Sequence, residues 1–183
     1  MSNIMACMFT GYRPQKFSFN FSEDDKDYLE FENELMDSII AIYDAGAKRF
    51  YCGCAMGFDL LAAEIVLLLK ERNPEIELYC FVPFEGQEKT FTSYWKEKYK
   101  LVLNGADDIK ILCEHYYKGC YQQRNQEMVN NSSIVLTYFD GQSGGTGQTI
   151  KYAQKKGLKI INIAEGLGRL EKESLNLTQL TLY

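Results

Sequence analysis

Histidine is nearly missing from this 183-residue chain, which carries one, His115. A lone imidazole with no obvious carboxylate or serine partner in sequence is a weak basis for nucleophilic catalysis. The six cysteines stand at positions 7, 52, 54, 80, 113 and 120, and Cys52-Gly53-Cys54 has no second pair at zinc-finger spacing. No metal site is expected from that pattern. A basic excess is missing too. Twenty Lys and Arg against 25 Asp and Glu give a formal net charge of −5. That balance argues against non-specific nucleic-acid or membrane-surface binding, while a local basic pocket stays open. No apolar run approaches the roughly 20 residues that span a bilayer. Met1 to Ala6 lacks the basic start and apolar core of a secretory signal. With four cysteines in or beside expected strands, where they act as small buried hydrophobes, a reduced, cytoplasmic protein fits.

Two familiar phosphate-binding signatures are also lacking. No Gly-Lys-Ser/Thr follows a glycine turn, and the first expected strand ends in Thr10-Gly11-Tyr12-Arg13 rather than G-x-G-x-x-G. What the chain has instead is Asp140-Gly141-Gln142-Ser143-Gly144-Gly145-Thr146-Gly147, placed between the apolar run Ile134 to Tyr138 and an expected helix from Thr146 to Lys156. Glycines between a strand and a helix start leave backbone N–H groups bare, and the helix dipole adds positive potential there, which suits a phosphate.

At 46% hydrophobic and 25% charged residues, the chain has the composition of a globular protein able to bury a core. Short apolar runs near residues 5–10, 48–52, 77–82, 109–113, 134–138 and 158–163 read as six strands. Helical spacing fills the stretches between them: Leu35, Ile39, Ile42 and Tyr43 on one helix, then Phe58 to Arg72, Ser93 to Leu103, Tyr121 to Asn131 and Thr146 to Lys156. Ser22 with Asp25 offers a capping-box spacing for the first helix. Strands alternating with helices predict an α/β, Rossmann-like, doubly wound and mainly parallel sheet covered on both faces. One domain over residues 1–165 is expected, followed by a weakly patterned polar extension over 166–183 that is either loose or docked on a partner subunit.

In such a sheet, ligands bind beyond the carboxyl ends of the strands. The unusual loops all fall there: Thr10-Gly11-Tyr12-Arg13-Pro14, Gly53-Cys54-Ala55-Met56-Gly57-Phe58-Asp59, Val82-Pro83-Phe84-Glu85-Gly86-Gln87, the approach to Arg124-Asn125, and Asp140 to Gly147. Two glycine turns and two arginines on one rim indicate a small-molecule site. Arg13 and Arg124 can chelate phosphate or carboxylate oxygens through two donors. Alternatively Arg13 is a loop charge, and Arg124 a surface residue paired with Glu127. Asp59 either caps its helix or holds a ribose hydroxyl. Phe84 either packs or offers a ring to a base, whereas Trp95 and Tyr99 read as core.

These motifs resemble those of the SLOG superfamily, the Rossmann-like group of Smf/DprA and LONELY GUY proteins, and within it the YpsA-like branch. The resemblance runs from about Met5 to Ile163. It rests on Thr10 to Pro14, Gly53-x-Ala55-x-Gly57-x-Asp59, Gln87 with Trp95, Arg124-Asn125-x-x-Met128 and Gly144-Gly145-Thr146. It implies a pocket for a nucleotide-derived ligand, sensed or sequestered in stress or phage-conflict signalling, and a tendency to form homo-oligomers. On this reading the ligand-binding residues are Thr10, Gly11, Arg13, Gly53, Ala55, Gly57, Asp59, Phe84, Arg124, Asn125, Gly144, Gly145 and Thr146. LONELY GUY proteins cleave the N-glycosidic bond of nucleoside monophosphates with a glutamate where this chain is similar but carries Lys151. The comparison therefore leans away from catalysis. An N-glycosidase using Glu127, Asp59 or Asp140 is the enzyme alternative, and a DprA-like binder of single-stranded nucleic acid is a second, set against the acidic balance.

Overall fold

The computed structural model describes residues 5–165; the polar extension expected over 166–183 lies outside them. Six parallel strands form one sheet in the order β4-β3-β2-β1-β5-β6. They are β1 (Ala6–Gly11), β2 (Arg49–Cys52), β3 (Glu77–Val82), β4 (Asp108–Ile111), β5 (Ile134–Tyr138) and β6 (Lys159–Asn162). Between them run α1 (Lys26–Asp44), α2 (Phe58–Lys70), α3 (Ser93–Gly105), α4 (Cys120–Asn130) and α5 (Gly145–Lys155).

Alternate residues of the central strands feed two cores, as the two-residue period of a strand requires. Cys7 and Phe9 of β1 face the larger core with Phe31, Leu35, Ile39, Phe58 and Val66 of α1 and α2. Ala6 and Met8 face the smaller one with Met128 and Val129 of α4 and Ala153 of α5. Helices therefore cover both faces, with α1 to α3 on one side and α4 with α5 on the other. This is the Rossmann-like α/β architecture.

Several boundaries differ locally from those the sequence suggests. Asp25, rather than Ser22, caps α1: its carboxylate accepts from the N–H groups of Asp27 and Tyr28. Helix α5 begins at Gly145, with Gly144 as its N-cap. The connection into α1 carries Phe17, Phe19 and Phe21. Its rings pack on Tyr28, Phe31 and Trp95, against the larger core. Trp95 and Tyr99 are buried as the helical spacing predicts.

The chain lays β1, β2, β3 and β4 outward in one direction, then returns to place β5 on the other side of β1. The strand order thus reverses between β1 and β5. At such a switch point the two following loops leave in opposite directions and open a crevice.

Candidate functional site

The crevice begins where Gly11 of β1 pairs with Tyr138 of β5. After β5 the chain swings out through Phe139 to Gly144 and starts α5 with no side-chain cap, so the first-turn N–H groups of α5 face the opening. Gly144 has φ 152°, a conformation that favours glycine. Hydrogen bonds from three side chains fix the turn to β1 and its loop. Thr146 Oγ1 donates to the Gly11 carbonyl at 3.1 Å. The Tyr12 hydroxyl bonds Asp140 Oδ1 and accepts from the Gln142 N–H. Lys16 Nζ donates to the Ser143 carbonyl at 2.8 Å while lying 4.9 Å from the Tyr12 ring centroid. Positive charge and bare helix donors thereby meet at one mouth.

The opposite wall comes from α2 and α4. Cys120, Arg124 and Met128 recur every four residues along α4 and point inward, which buries the Arg124 guanidinium. Its Nη1 donates to the Gly53 carbonyl and stands 3.9 Å from Asp59 Oδ2. Its Nε donates to Asn125 Oδ1 at 2.6 Å, Asn125 Nδ2 donates to Thr149 Oγ1 at 2.7 Å, and Thr149 Oγ1 donates to the Gly145 carbonyl at 2.9 Å. A continuous chain of hydrogen bonds therefore ties the turn after β2 to the start of α5.

Burial pushes the Asp59 carboxyl up to about 6, against the opposing pull of Arg124, the Ala55 N–H and Arg13. Desolvation outweighs pairing here because the guanidinium is too far for a direct bond. Asp140, exposed and bonded by the Tyr12 hydroxyl, is held below the ordinary carboxylate range. The two acids are thus tuned in opposite directions.

Thr10, Gly11, Arg13, Ala55, Asp59, Arg124, Asn125, Gly144, Gly145 and Thr146 all line one cleft of about 520 Å³. Three other expected residues do not. Phe84 sits after β3, two strands from β1, and its ring packs on Tyr116 and Tyr121; Tyr121 stands at the cleft in its place. Gly53 and Gly57 lie behind the wall. Their turn does not present a row of free donors, because the Cys54 N–H reaches Cys52 Sγ and the Phe58 N–H reaches the Tyr12 carbonyl. The glycines there serve close packing: a Cβ on Gly53 would strike Arg124, and one on Gly57 would strike the Tyr12 carbonyl. Gln87 belongs to this same support, donating to the Cys54 carbonyl at 3.2 Å.

Sequence reading missed Tyr12, Gln15, Lys16, Tyr121 and Ser143, which also line the cleft. Tyr121 was findable, since it precedes Arg124 by three residues and shares its helix face. Arg13 lies over its ring at 5.2 Å. The expected Arg124–Glu127 pairing does not form; Glu127 pairs with Lys110 at 2.5 Å. Lys151 is exposed and lines a separate depression with Gln142 and Gln154. His115 is exposed and is not part of the cleft lining. Among the described residues, no group of three or more His, Cys, Asp or Glu is placed to hold a metal ion, and no helix is long and apolar enough to cross a membrane.

Comparison with known proteins agrees with this arrangement of motifs. The YpsA model, described as the YspA SLOG family, matches residues 7–163. The UPF0398 protein YpsA of Bacillus subtilis (strain 168) is 30% identical over 139 residues, covering 75% of this chain and 77% of that protein. An uncharacterized SPbeta prophage-derived protein of the same strain, YoqJ, is 30% identical over 139 residues, covering 67% of this chain and 81% of the relative. Two solved structures share the fold. DNA processing protein A from Helicobacter pylori, described by its single-stranded DNA binding mode, aligns with TM-score 0.60 at 16% identity over 97% of this chain and 80% of that one. The Streptococcus pneumoniae protein of the same name aligns with TM-score 0.57 at 15% identity over 97% of this chain, which spans 56% of that protein's length.

Proposed function

The chain belongs to the YspA SLOG family, and from that membership together with the geometry of the cleft we propose that it binds a nucleotide-derived small molecule at the β1–β5 switch point. One observation carries the reading: Arg13, Lys16 and Arg124 converge with the uncapped start of α5 on a single cleft. Three cations and a helix N-terminus around one opening favour a phosphate-bearing ligand. The cleft volume of about 520 Å³ falls within the range of small-molecule sites, roughly 300–1,000 Å³. Asp59, beside the cations, is placed to accept from a sugar hydroxyl. The protein acts on this reading as a sensor or store for its ligand.

Calorimetric titration with adenosine monophosphate, ADP-ribose and inorganic pyrophosphate tests it. Binding to the native chain, weakened in Arg13→Ala and Lys16→Ala proteins that remain folded, is the expected result. Failure of all three to bind overturns the reading.

A second reading draws on Asp59. Among the described residues it is the one carboxylate of the cleft lining, and a carboxyl held near pH 6 by burial is a candidate general acid. Glu127 and Asp140, bonded to Lys110 and Tyr12, do not line the cleft. Incubation with nucleoside monophosphates, NAD and ADP-ribose decides: free base released by the native chain and not by Asp59→Asn selects an N-glycosidase over a binding protein. The single-stranded DNA binding described for the Helicobacter pylori protein is weighed against the net charge of −5, which opposes long-range attraction of a polyanionic strand. Gel-shift titration at low salt checks it.

A further inference from the structure

A second cavity, of about 290 Å³, lies between α4 and α5 and shares Tyr121, Asn125 and Gly145 with the cleft. Its lining differs in kind. Gln122, Gln126, Gln148 and Tyr152 line it with Tyr121 and Asn125, and among the described residues no charged side chain lines it. The cleft next door holds three cations and a carboxylate. The side-chain amides of Gln122, Gln126 and Gln148 have no hydrogen-bond partner among the described residues. Asn125 is already engaged, its oxygen accepting from Arg124 and its nitrogen donating to Thr149.

We propose that this α4–α5 groove is the nucleobase subsite of the phosphate cleft, and that the ligand is a nucleoside monophosphate. The proposal rests on the reading of the cleft as a phosphate site and adds where the ring goes. A neutral wall of two tyrosine rings and three unpaired carboxamides suits a flat, uncharged heterocycle with donors and acceptors on its edge. Glutamine amides pair with such edges through both their oxygen and their nitrogen, and aromatic rings stack on their faces. A second phosphate would find no cation there. The groove is close to the lower bound of small-molecule sites, near ~300 Å³, so it holds a ring rather than a whole nucleotide. Because Tyr121, Asn125 and Gly145 belong to both cavities, the groove adjoins the phosphate cleft, and one ligand can enter both.

Titration of the full chain with adenosine monophosphate, guanosine monophosphate and ribose 5-phosphate separates the parts. At least one nucleotide should bind more tightly than ribose 5-phosphate by about tenfold, or about 1.4 kcal/mol. Tyr152→Ala and Gln126→Ala should each erase most of that advantage and leave ribose 5-phosphate affinity unchanged. Gln126 is only half-buried and unbonded, so its variant folds even if loss of the Tyr152 bond to Asn130 perturbs the other. Equal affinity for ribose 5-phosphate and both nucleotides overturns the groove as a base subsite while leaving the phosphate cleft standing. So does equal loss of all three ligands in the folded Gln126→Ala protein. No binding of any of the three overturns the cleft reading and the groove with it.

Discussion

Arg124 and Asp59 face each other inside the wall of the cleft, Nη1 3.9 Å from Oδ2, with side chains only 5% and 7% exposed. The arginine spends its hydrogen bonds elsewhere, on the Gly53 carbonyl and on Asn125. Asp59 is left with a nearby charge, the Ala55 N–H and little water. That asymmetry underlies its raised proton affinity.

The first prediction concerns pH. The Asp59 carboxyl stands at about 6 in the folded chain against 3.8 for the free group, so the folded state holds the proton more tightly. Stability from this group is fully present below pH 3.8 and is lost as pH rises through 6. Its size is on the order of 2–3 kcal/mol. Other acids such as Asp107 and Asp140, which are shifted downward, slope the other way, so the native curve alone does not isolate it. The difference between Asp59→Asn and native stability does. It should favour the variant more at pH 7 than at pH 4 by about 2 kcal/mol. Urea unfolding at the two pH values measures it, and a flat difference rules out the raised carboxyl.

Arg124→Ala removes the partner and leaves a buried carboxylate. The expected loss of stability at pH 7 is about 3 kcal/mol. It should shrink at pH 5, where Asp59 can take up a proton, and in the Arg124→Ala, Asp59→Asn double variant, where no carboxylate remains. Chemical denaturation of the single and double variants provides the comparison. If the double variant is no more stable than the single one, the guanidinium matters through Gly53 and Asn125 instead.

Much of the fold was legible because buried parallel strands write continuous apolar runs: Ile134 to Tyr138 and Glu77 to Val82 needed only their length and their flanking turns. The crevice was legible too, since Thr10 to Arg13 and Gly144 to Thr146 follow strands that become neighbours. What a linear pattern does not carry is which face of a wall a residue takes. Gly53 and Gly57 belong to a motif that looks like a phosphate cradle, yet their missing side chains make room for Arg124 and for the Tyr12 carbonyl. Phe84 was plausible as a base platform only until the sheet order put β2 between its strand and β1. Lys16 reaches Ser143 across 127 positions of sequence, a contact that no local rule anticipates.

The same distinction applies to Gly11. A Cβ there would overlap the Phe58 side chain at the start of α2, and Phe58 is fully buried. Gly11→Ala should therefore destabilise the chain by about 1–3 kcal/mol through overpacking. Shortening Phe58 to Leu in the same chain should restore part of the loss. Thermal unfolding of both variants checks this. An unaffected Gly11→Ala protein would mean that the glycine is kept free for a ligand rather than for packing.

Gly145 is the opposite case and makes the sharper test of the site. It lies at the first position of α5, exposed, and a Cβ built there meets nothing within 4 Å. Its φ is not in the left-handed region, so a side chain brings no backbone strain. Gly145→Val should consequently fold with a stability change within about 0.5 kcal/mol, as at an unremarkable surface position. Yet the isopropyl group would stand over the bare N–H groups of the helix start, beside Lys16 and Thr146 on the cleft rim, and hold a phosphate away from them. Affinity for adenosine monophosphate or pyrophosphate should fall by at least tenfold, about 1.4 kcal/mol, in a protein whose unfolding curve matches the native one. Gly144→Ala is a poorer probe, because its φ of 152° and the Lys16 ammonium 3.2 Å from the new carbon mix strain with blockage. Undiminished binding by Gly145→Val places the anion away from α5, against Arg13 and Arg124 alone.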